Sequence, residues 1–238
     1  MHALVVSSFR CILKTLAEIA TEKAGIIKPD GYLISAAQDP EVATILLDTA
    51  RKQNAKYAFE GVEFGVVERA RAVGGQLLTL RGLAGEYPEI ELPLHGEHQG
   101  QNASLALAAV EAFFGGDRAL TRDVVLAGFA QVRSPGRLEM IRSEPLVVLD
   151  AAHNPHGVRA ASTAFKEAFE LSHVHAVVGI LGEKDALGIF EVLREEYVDS
   201  TDATFRLYLS ASDSSRAIAP EELQEIALDA GFDEDIIT

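Results

Sequence analysis

Val147-Val148-Leu149-Asp150-Ala151-Ala152-His153-Asn154-Pro155-His156 decides how this chain reads. Three apolar residues run straight into Asp150. A small-residue turn follows, then His-Asn-Pro-His, and residues 157–169 beyond it have helical spacing. Strand, polar turn and helix together form the unit of open α/β sheets. In such sheets ligands bind where strands end and helices begin. A carboxylate, two imidazoles and a carboxamide share this turn. Two readings stand here: a ligand-binding edge, or a polar loop whose Asp150 and Asn154 cap the next helix.

Toward the C-terminus the pattern repeats. Strand 146–149 precedes a helix around 158–169, and strand 176–181 precedes a helix over 186–197. Strand 204–209 precedes a helix over 220–230 with Pro220 near its start. Strict alternation of this kind predicts a doubly wound, mostly parallel, Rossmann-like sheet. The loops at 182–185 and 210–216 would then share an edge with Asp150 and His153. Toward the N-terminus, Ser134-Pro135-Gly136-Arg137 reads as a boundary dividing domain 1–133 from domain 134–238. An Arg at such a junction can clamp a phosphate bidentately, or it can pair with Glu139 at the surface. The tripeptide does not decide between the two.

In the first half, residues 13–27 read as a helix ending at Gly25, with Leu16, Ile19, Ala20 and Lys23 at helical spacing. A short strand 32–35 follows. A helix over 40–54 has Ile45, Leu46 and Thr49 as its inward stripe, and a strand spans 56–59. Segments 64–67, 76–80 and 89–92 read as antiparallel strands appended to that sheet. An Ala-rich helix is expected over 103–114 with Asn102 at its N-terminus, as a cap or as a functional carboxamide. A Thr-capped helix over 121–130 ends this half.

Composition narrows the classes. With 238 residues, nearly half of them apolar, the chain can hold one large domain or two modest ones. A formal charge of −15 argues against a nucleic-acid backbone or an anionic membrane surface as main partner. The single cysteine, Cys11, excludes an intrachain disulfide and fits a reducing compartment. No apolar run approaches the roughly 20 residues of a membrane span. Met1 to Lys14 lacks the basic-then-apolar order of a signal peptide, so a cytoplasmic location is expected.

Several segments together resemble one family. Ile19-Ala20-Thr21-Glu22-Lys23-Ala24-Gly25-Ile26-Ile27-Lys28-Pro29 looks like a signature of folylpolyglutamate synthases and bifunctional dihydrofolate synthases, members of the Mur ligase superfamily. His98-Gln99 with Asn102-Ala103, Pro135-Gly136-Arg137, Asp150 through His156, and Lys184-Asp185 recur in that family in this order. Each piece alone is weak. Five in register over most of the chain make a strong match, and the first set points to the folate branch rather than the peptidoglycan branch.

The resemblance implies an α/β chain with the remainder of a Mur-ligase-type central ATPase domain, followed by a glutamate-ligase domain. It implies an ATP- and Mg2+-dependent ligase that joins L-glutamate to a folate or to dihydropteroate through an acyl phosphate. Asn102, Arg137 and Asp150 would be the ATP contacts, opening onto one interdomain cleft. His153, with Lys23, would be catalytic, and Asn154 and His156 would lie near phosphate and substrate. The family residue matching Lys23 is carbamylated and can then hold a metal. Nucleic acid and membrane are not expected partners, and a monomer is expected.

Two departures qualify this. No Gly-x-x-x-x-Gly-Lys-Ser/Thr phosphate loop occurs in these 238 residues. Ser8 falls where the family has a metal-binding His, and residues 6–14 do not resemble the family. The chain is therefore expected to begin inside the central domain, to stop before the last strand and helix of its final sheet, to be inactive as given, and not to carry a stable carbamate on Lys23. The alternatives are a non-catalytic nucleotide-binding or degenerate fragment, and another Mur ligase acting on peptidoglycan precursors. Glu22-Lys23-Ala24-Gly25 speaks against the last.

Overall fold

The computed structural model describes residues 15–238, so the readings at Ser8 and Cys11 lie outside the described residues. The chain divides into two compact units, Met1–Pro93 with Glu97–Val132, and Leu94–Gly96 with Arg133–Thr238.

The first unit begins with α1 (Leu16–Ala24), shorter at both ends than its apolar spacing suggests. Thr15 and Glu18 form a reciprocal capping box that fixes its start. A parallel pair, β1 (Tyr32–Ser35) and β2 (Lys56–Phe59), flanks α2 (Pro40–Lys52) in sequence. Side chains alternate along a strand, and β1 uses both faces. Leu33 packs with Ala20, Ala24, Val42, Leu46 and Ala50 from α1 and α2. Ile34 packs with Ala58, Phe64, Leu105, Ala108 and Ala112 on the other side. The buried stripe of α2 is therefore Val42, Leu46 and Ala50, at four-residue spacing. Ile45 and Thr49 lie at its margin.

Strands β3 (Gly65–Ala72), β4 (Gly75–Arg81) and β5 (Glu86–Leu92) form their own antiparallel sheet. They are not appended to β1–β2. Tight turns pair each with its neighbour in sequence and leave only the isolated Glu60–Phe64 bridge beside it. Helix α3 (Glu97–Phe113) packs against both sheets, and its small residues Ala103, Ser104, Ala108 and Ala112 permit the close approach. Helix α4 (Arg122–Ala130) packs on β5; Thr121 stands at its start but its side chain makes no cap bond.

Near the end of α3 a carboxylate is fully buried. Glu111 accepts hydrogen bonds from the backbone N–H of Leu83 and Ala84 and from the Tyr87 hydroxyl, the last at 2.6 Å. Tyr87 in turn accepts from Leu120 N at 2.7 Å. Gly82 must be glycine here, because a Cβ would collide with the Glu111 carboxylate. Buried anions persist only when their acceptor capacity is satisfied.

In the second unit β6 (Glu139–Ser143) and β7 (Leu146–Leu149) form an antiparallel hairpin. The strict alternation expected from the sequence omitted β6, and β7 makes no ladder with the next strand. Sequence-adjacent strands joined by a short turn pair most readily, and Glu144-Pro145 supplies that turn. Helix α5 (Pro155–Ala168) follows. Then come β8 (His173–Val178), α6 (Ala186–Arg194) with a π-helical continuation over Glu195–Asp199, β9 (Thr204–Leu209) and α7 (Pro220–Asp229). Strands β8 and β9 pair in parallel, the βαβ arrangement expected of this half. Phe190, Leu207, Leu223, Phe205 and Phe232 form the core between this pair and its helices. Glu196 in the π turn binds both Arg159 and Lys166 of α5, tying the two elements together. No helix among the described residues is long and apolar enough to cross a membrane.

Burial, helped by the bond to Glu111, pushes the Tyr87 phenol up to about 12. A raised pKa favours the neutral phenol, so its contribution is complete below pH ~10 and is lost as pH rises toward 12. Tyr87→Phe is expected to cost about 1.5–3 kcal/mol at pH 8, the range for a bond to a charged group, and to flatten the alkaline fall in stability. Urea unfolding at pH 8 and 11 checks both; equal stability of the two proteins would refute the assignment.

Candidate functional site

The second unit builds its most constrained loop around the Pro-Gly-Arg tripeptide. Pro135 presets one turn position and Gly136, at φ +69°, takes the left-handed one that follows. Arg137 N–H closes the turn on Ser134 O at 3.1 Å. Leu138 is also left-handed, at φ +46°, which is costly for a residue with a Cβ. Its side chain is buried, and that anchors the strained position.

The loop after β7 holds this turn in place. Asp150 Oδ2 accepts from Leu138 N at 2.9 Å, and Oδ1 accepts from Ala152 N at 2.7 Å. Ala151 N donates to Gly136 O at 2.8 Å, and Glu139 Oε2 accepts from Gly136 N at 2.9 Å. Asp150 Oδ2 thus bridges the two loops while Oδ1 binds within its own loop, and Asp150 does not cap α5. Asn154 does, accepting Gly157 N–H at 2.8 Å with Pro155 in the first turn. The capping alternative holds for Asn154 and fails for Asp150.

Arg137 is exposed, and its guanidinium makes no ion pair or hydrogen bond among the described residues. The expected alternative, a surface pair with Glu139, is not formed, because that carboxylate faces the Gly136 amide instead. His153 is half-buried, with Nδ1 3.2 Å from Ala151 O. A carbonyl only accepts, so Nδ1 carries the proton and a neutral ring offers Nε2 as an acceptor. His156 is exposed on the first turn of α5. Arg137, Asp150, His153 and Asn154 therefore belong to one pair of bonded loops, with a cation, a carboxylate and a proton acceptor. Such a set can bind an anion and accept a proton beside it.

In the first unit Asn102 is the sixth residue of α3, not its cap. The helix starts earlier than its alanine content suggests, at Glu97. Asn102 is exposed and its Nδ2 donates to Gln99 Oε1 at 3.3 Å. Lys23 lies half-buried in the last turn of α1. Among the described residues no three His, Cys, Asp or Glu converge into a cage for a metal. A recess of about 560 Å³ over β3–β5, lined by Glu68, Arg69, Thr79 and Glu89 among others, contains none of the sequence-predicted residues.

Glu139 and Leu138 were not singled out by sequence for the site. The left-handed backbone of Leu138 has no composition signal. Glu139, three residues beyond Gly136, reads as an ordinary surface charge.

The chain is similar to known proteins over most of its length. The model of the Mur ligase glutamate-ligase domain matches residues 136–237. The dihydrofolate synthase/folylpolyglutamate synthase of Mycobacterium tuberculosis is 46% identical over 224 residues, 91% of this chain and 44% of that protein. A crystal structure of the M. tuberculosis folylpolyglutamate synthase with ADP and AMPPCP superposes with a TM-score of 0.88 at 41% identity, covering 99% of this chain and 52% of that one. A folylpolyglutamate synthase–AMPPCP–folate complex superposes at 0.75 with 25% identity, covering 99% and 56%. The chain thus spans about half the length of the relatives it matches.

Asn154→Ala removes the only side-chain cap of α5 among the described residues. It is expected to lower stability by about 1 kcal/mol, with Asn154→Ser recovering most of that. Thermal unfolding of the two variants checks it, and an unchanged midpoint for Asn154→Ala would contradict the capping assignment.

Proposed function

This chain belongs to the folylpolyglutamate synthase/dihydrofolate synthase family of Mur ligases, and from that premise we propose that it contributes the nucleotide and glutamate-ligation part of an ATP-dependent ligase. The acceptor is a folate or dihydropteroate and the donor amine is that of L-glutamate. The observation that carries the proposal is the bonded pair of loops, which joins the Arg137 turn to Asp150 and leaves the guanidinium exposed and without a partner among the described residues.

In this reading Arg137 neutralises the nucleotide phosphates. Asp150, exposed and already fixed by two backbone donors, keeps acceptor capacity for ribose hydroxyls, since an ionised carboxylate has about four lone-pair sites. Asn102 supplies a carboxamide that can donate to and accept from adenine. The acceptor carboxylate attacks the γ-phosphorus and ADP leaves, giving an acyl phosphate. The glutamate nitrogen attacks the acyl carbon, phosphate departs, and the amide forms. The glutamate ammonium must lose a proton before its nitrogen can attack, and His153 Nε2 is the proton acceptor proposed for it. His156 and the Asn154 amide nitrogen stand in the same turn for phosphate or substrate. A magnesium ion, when bound, supplies charge neutralisation. Lys23 is assigned to the reacting centre by the family resemblance, as a metal ligand only if carbamylated. The protein is proposed to act as a monomer.

The 238-residue polypeptide should bind ADP weakly, because its residues include no Gly-x-x-x-x-Gly-Lys-Ser/Thr cradle for the β- and γ-phosphates. Asp150→Ala and Arg137→Ala should each weaken ADP about tenfold, or ~1.4 kcal/mol, by titration calorimetry. Unchanged affinity with a lowered melting temperature would reduce Asp150 to a structural link. ATP-dependent incorporation of labelled glutamate into a folate acceptor is expected to be undetectable for this polypeptide alone, and clear turnover would overturn that.

A further inference from the structure

We propose that Glu139 is a positioning residue for the phosphate clamp, acting on Arg137 through the Gly136 amide. The inference rests on the reading of Arg137 as a phosphate ligand. Glu139 lies two residues from Arg137, close enough to pair with it and cancel its charge. Instead its Oε2 accepts the Gly136 N–H at 2.9 Å, on the residue immediately before Arg137. The same turn is held by Arg137 N on Ser134 O, Ala151 N on Gly136 O, and Leu138 N on Asp150 Oδ2. Two of these four bonds join backbone to backbone, and a third uses the Asp150 carboxylate of the family motif. The Glu139 bond is the one made by a side chain outside the motif.

Two features make that bond matter. Gly136 and Leu138, on either side of Arg137, are both left-handed; glycine takes that region freely, whereas Leu138 occupies one of the sparsely populated conformations of residues with a Cβ. Such conformations persist only when the surroundings over-determine them. Engaging Glu139 on the backbone also leaves the guanidinium exposed and without a partner among the described residues. One carboxylate therefore sets the turn and withholds itself from the cation.

The sign of the effect separates positioning from plain electrostatics. Removing an anion beside an anion-binding Arg should strengthen phosphate binding if charge alone acts. Removing a positioning group should weaken it. The test is calorimetric titration of the 238-residue chain with ADP and with adenosine, for Glu139→Ala, Glu139→Gln, Arg137→Ala and the Glu139→Ala/Arg137→Ala double variant. Glu139→Ala is expected to weaken ADP about fivefold and leave adenosine unchanged. Glu139→Gln keeps an oxygen acceptor for Gly136 N–H and should stay within about twofold of the parent. The double variant should match Arg137→Ala alone, because coupled residues are not additive.

ADP binding that is unchanged or tighter in Glu139→Ala overturns the inference. So does a parallel loss of ADP and adenosine affinity, which marks general loss of structure. If Arg137→Ala weakens ADP while Glu139→Ala does not, only this inference fails. If Arg137→Ala leaves ADP untouched, or the parent chain binds no ADP, the phosphate reading fails and takes this inference with it.

Discussion

The carboxylate of Asp150 receives two backbone N–H groups, from Leu138 twelve residues upstream and from Ala152 two residues downstream. The candidate site depends on this pair of bonds, one crossing to the Arg137 loop and one fixing the carboxylate within its own loop. Leu138 would not hold a left-handed conformation without compensation, and the Asp150 bond together with its buried side chain supplies it. With Leu138 fixed, Gly136 O lies where Ala151 N–H can reach it, and the turn carrying Arg137 is joined to the end of β7. The segments before and after the β6–β7 hairpin become one object. A hairpin delivers this naturally, because its two ends lie side by side.

The first unit solves a different problem with similar means. Helix α3 packs against two separate sheets, which demands small residues on its faces and satisfied polar groups at its buried end. Alanines meet the first demand, and the Glu111–Tyr87 network meets the second. The result is a rigid helix whose first turns expose Asn102. A site built on an anchored element is held more precisely than one on a free loop.

Much of this was legible in the sequence, for physical reasons. The apolar run at Val147–Leu149 ending in Asp150 is a strand, and Pro135-Gly136 forms a turn. The parallel β8–β9 pair and its helices follow from alternation of apolar blocks with helical spacing. The rest turned on tertiary partners that spacing does not encode. Strand β6 has no apolar alternation, since Glu139–Ser143 is mostly exposed, so only its partner β7 reveals it. The start of α3 at Glu97 was hidden because Gly96 through Asn102 has the composition of a loop, and packing overrides that composition. Asp150 and Asn154 looked equally suited to capping; helix geometry chose Asn154, and Asp150 bonded backward instead. The roles of Lys23 and His153 came from family resemblance, and local spacing would not have supplied them.

The central claim is that the two bonded loops around Arg137 and Asp150 receive the phosphate end of a nucleotide. An amide-resolved NMR titration of the isotopically labelled chain with ADP tests this most directly. Saturable shifts are expected at Gly136, Arg137 and Leu138 and at Ala151, Ala152 and His153, with adenosine moving these amides far less than ADP. Shifts confined to other parts of the chain, or equal responses to ADP and adenosine in these loops, would contradict it.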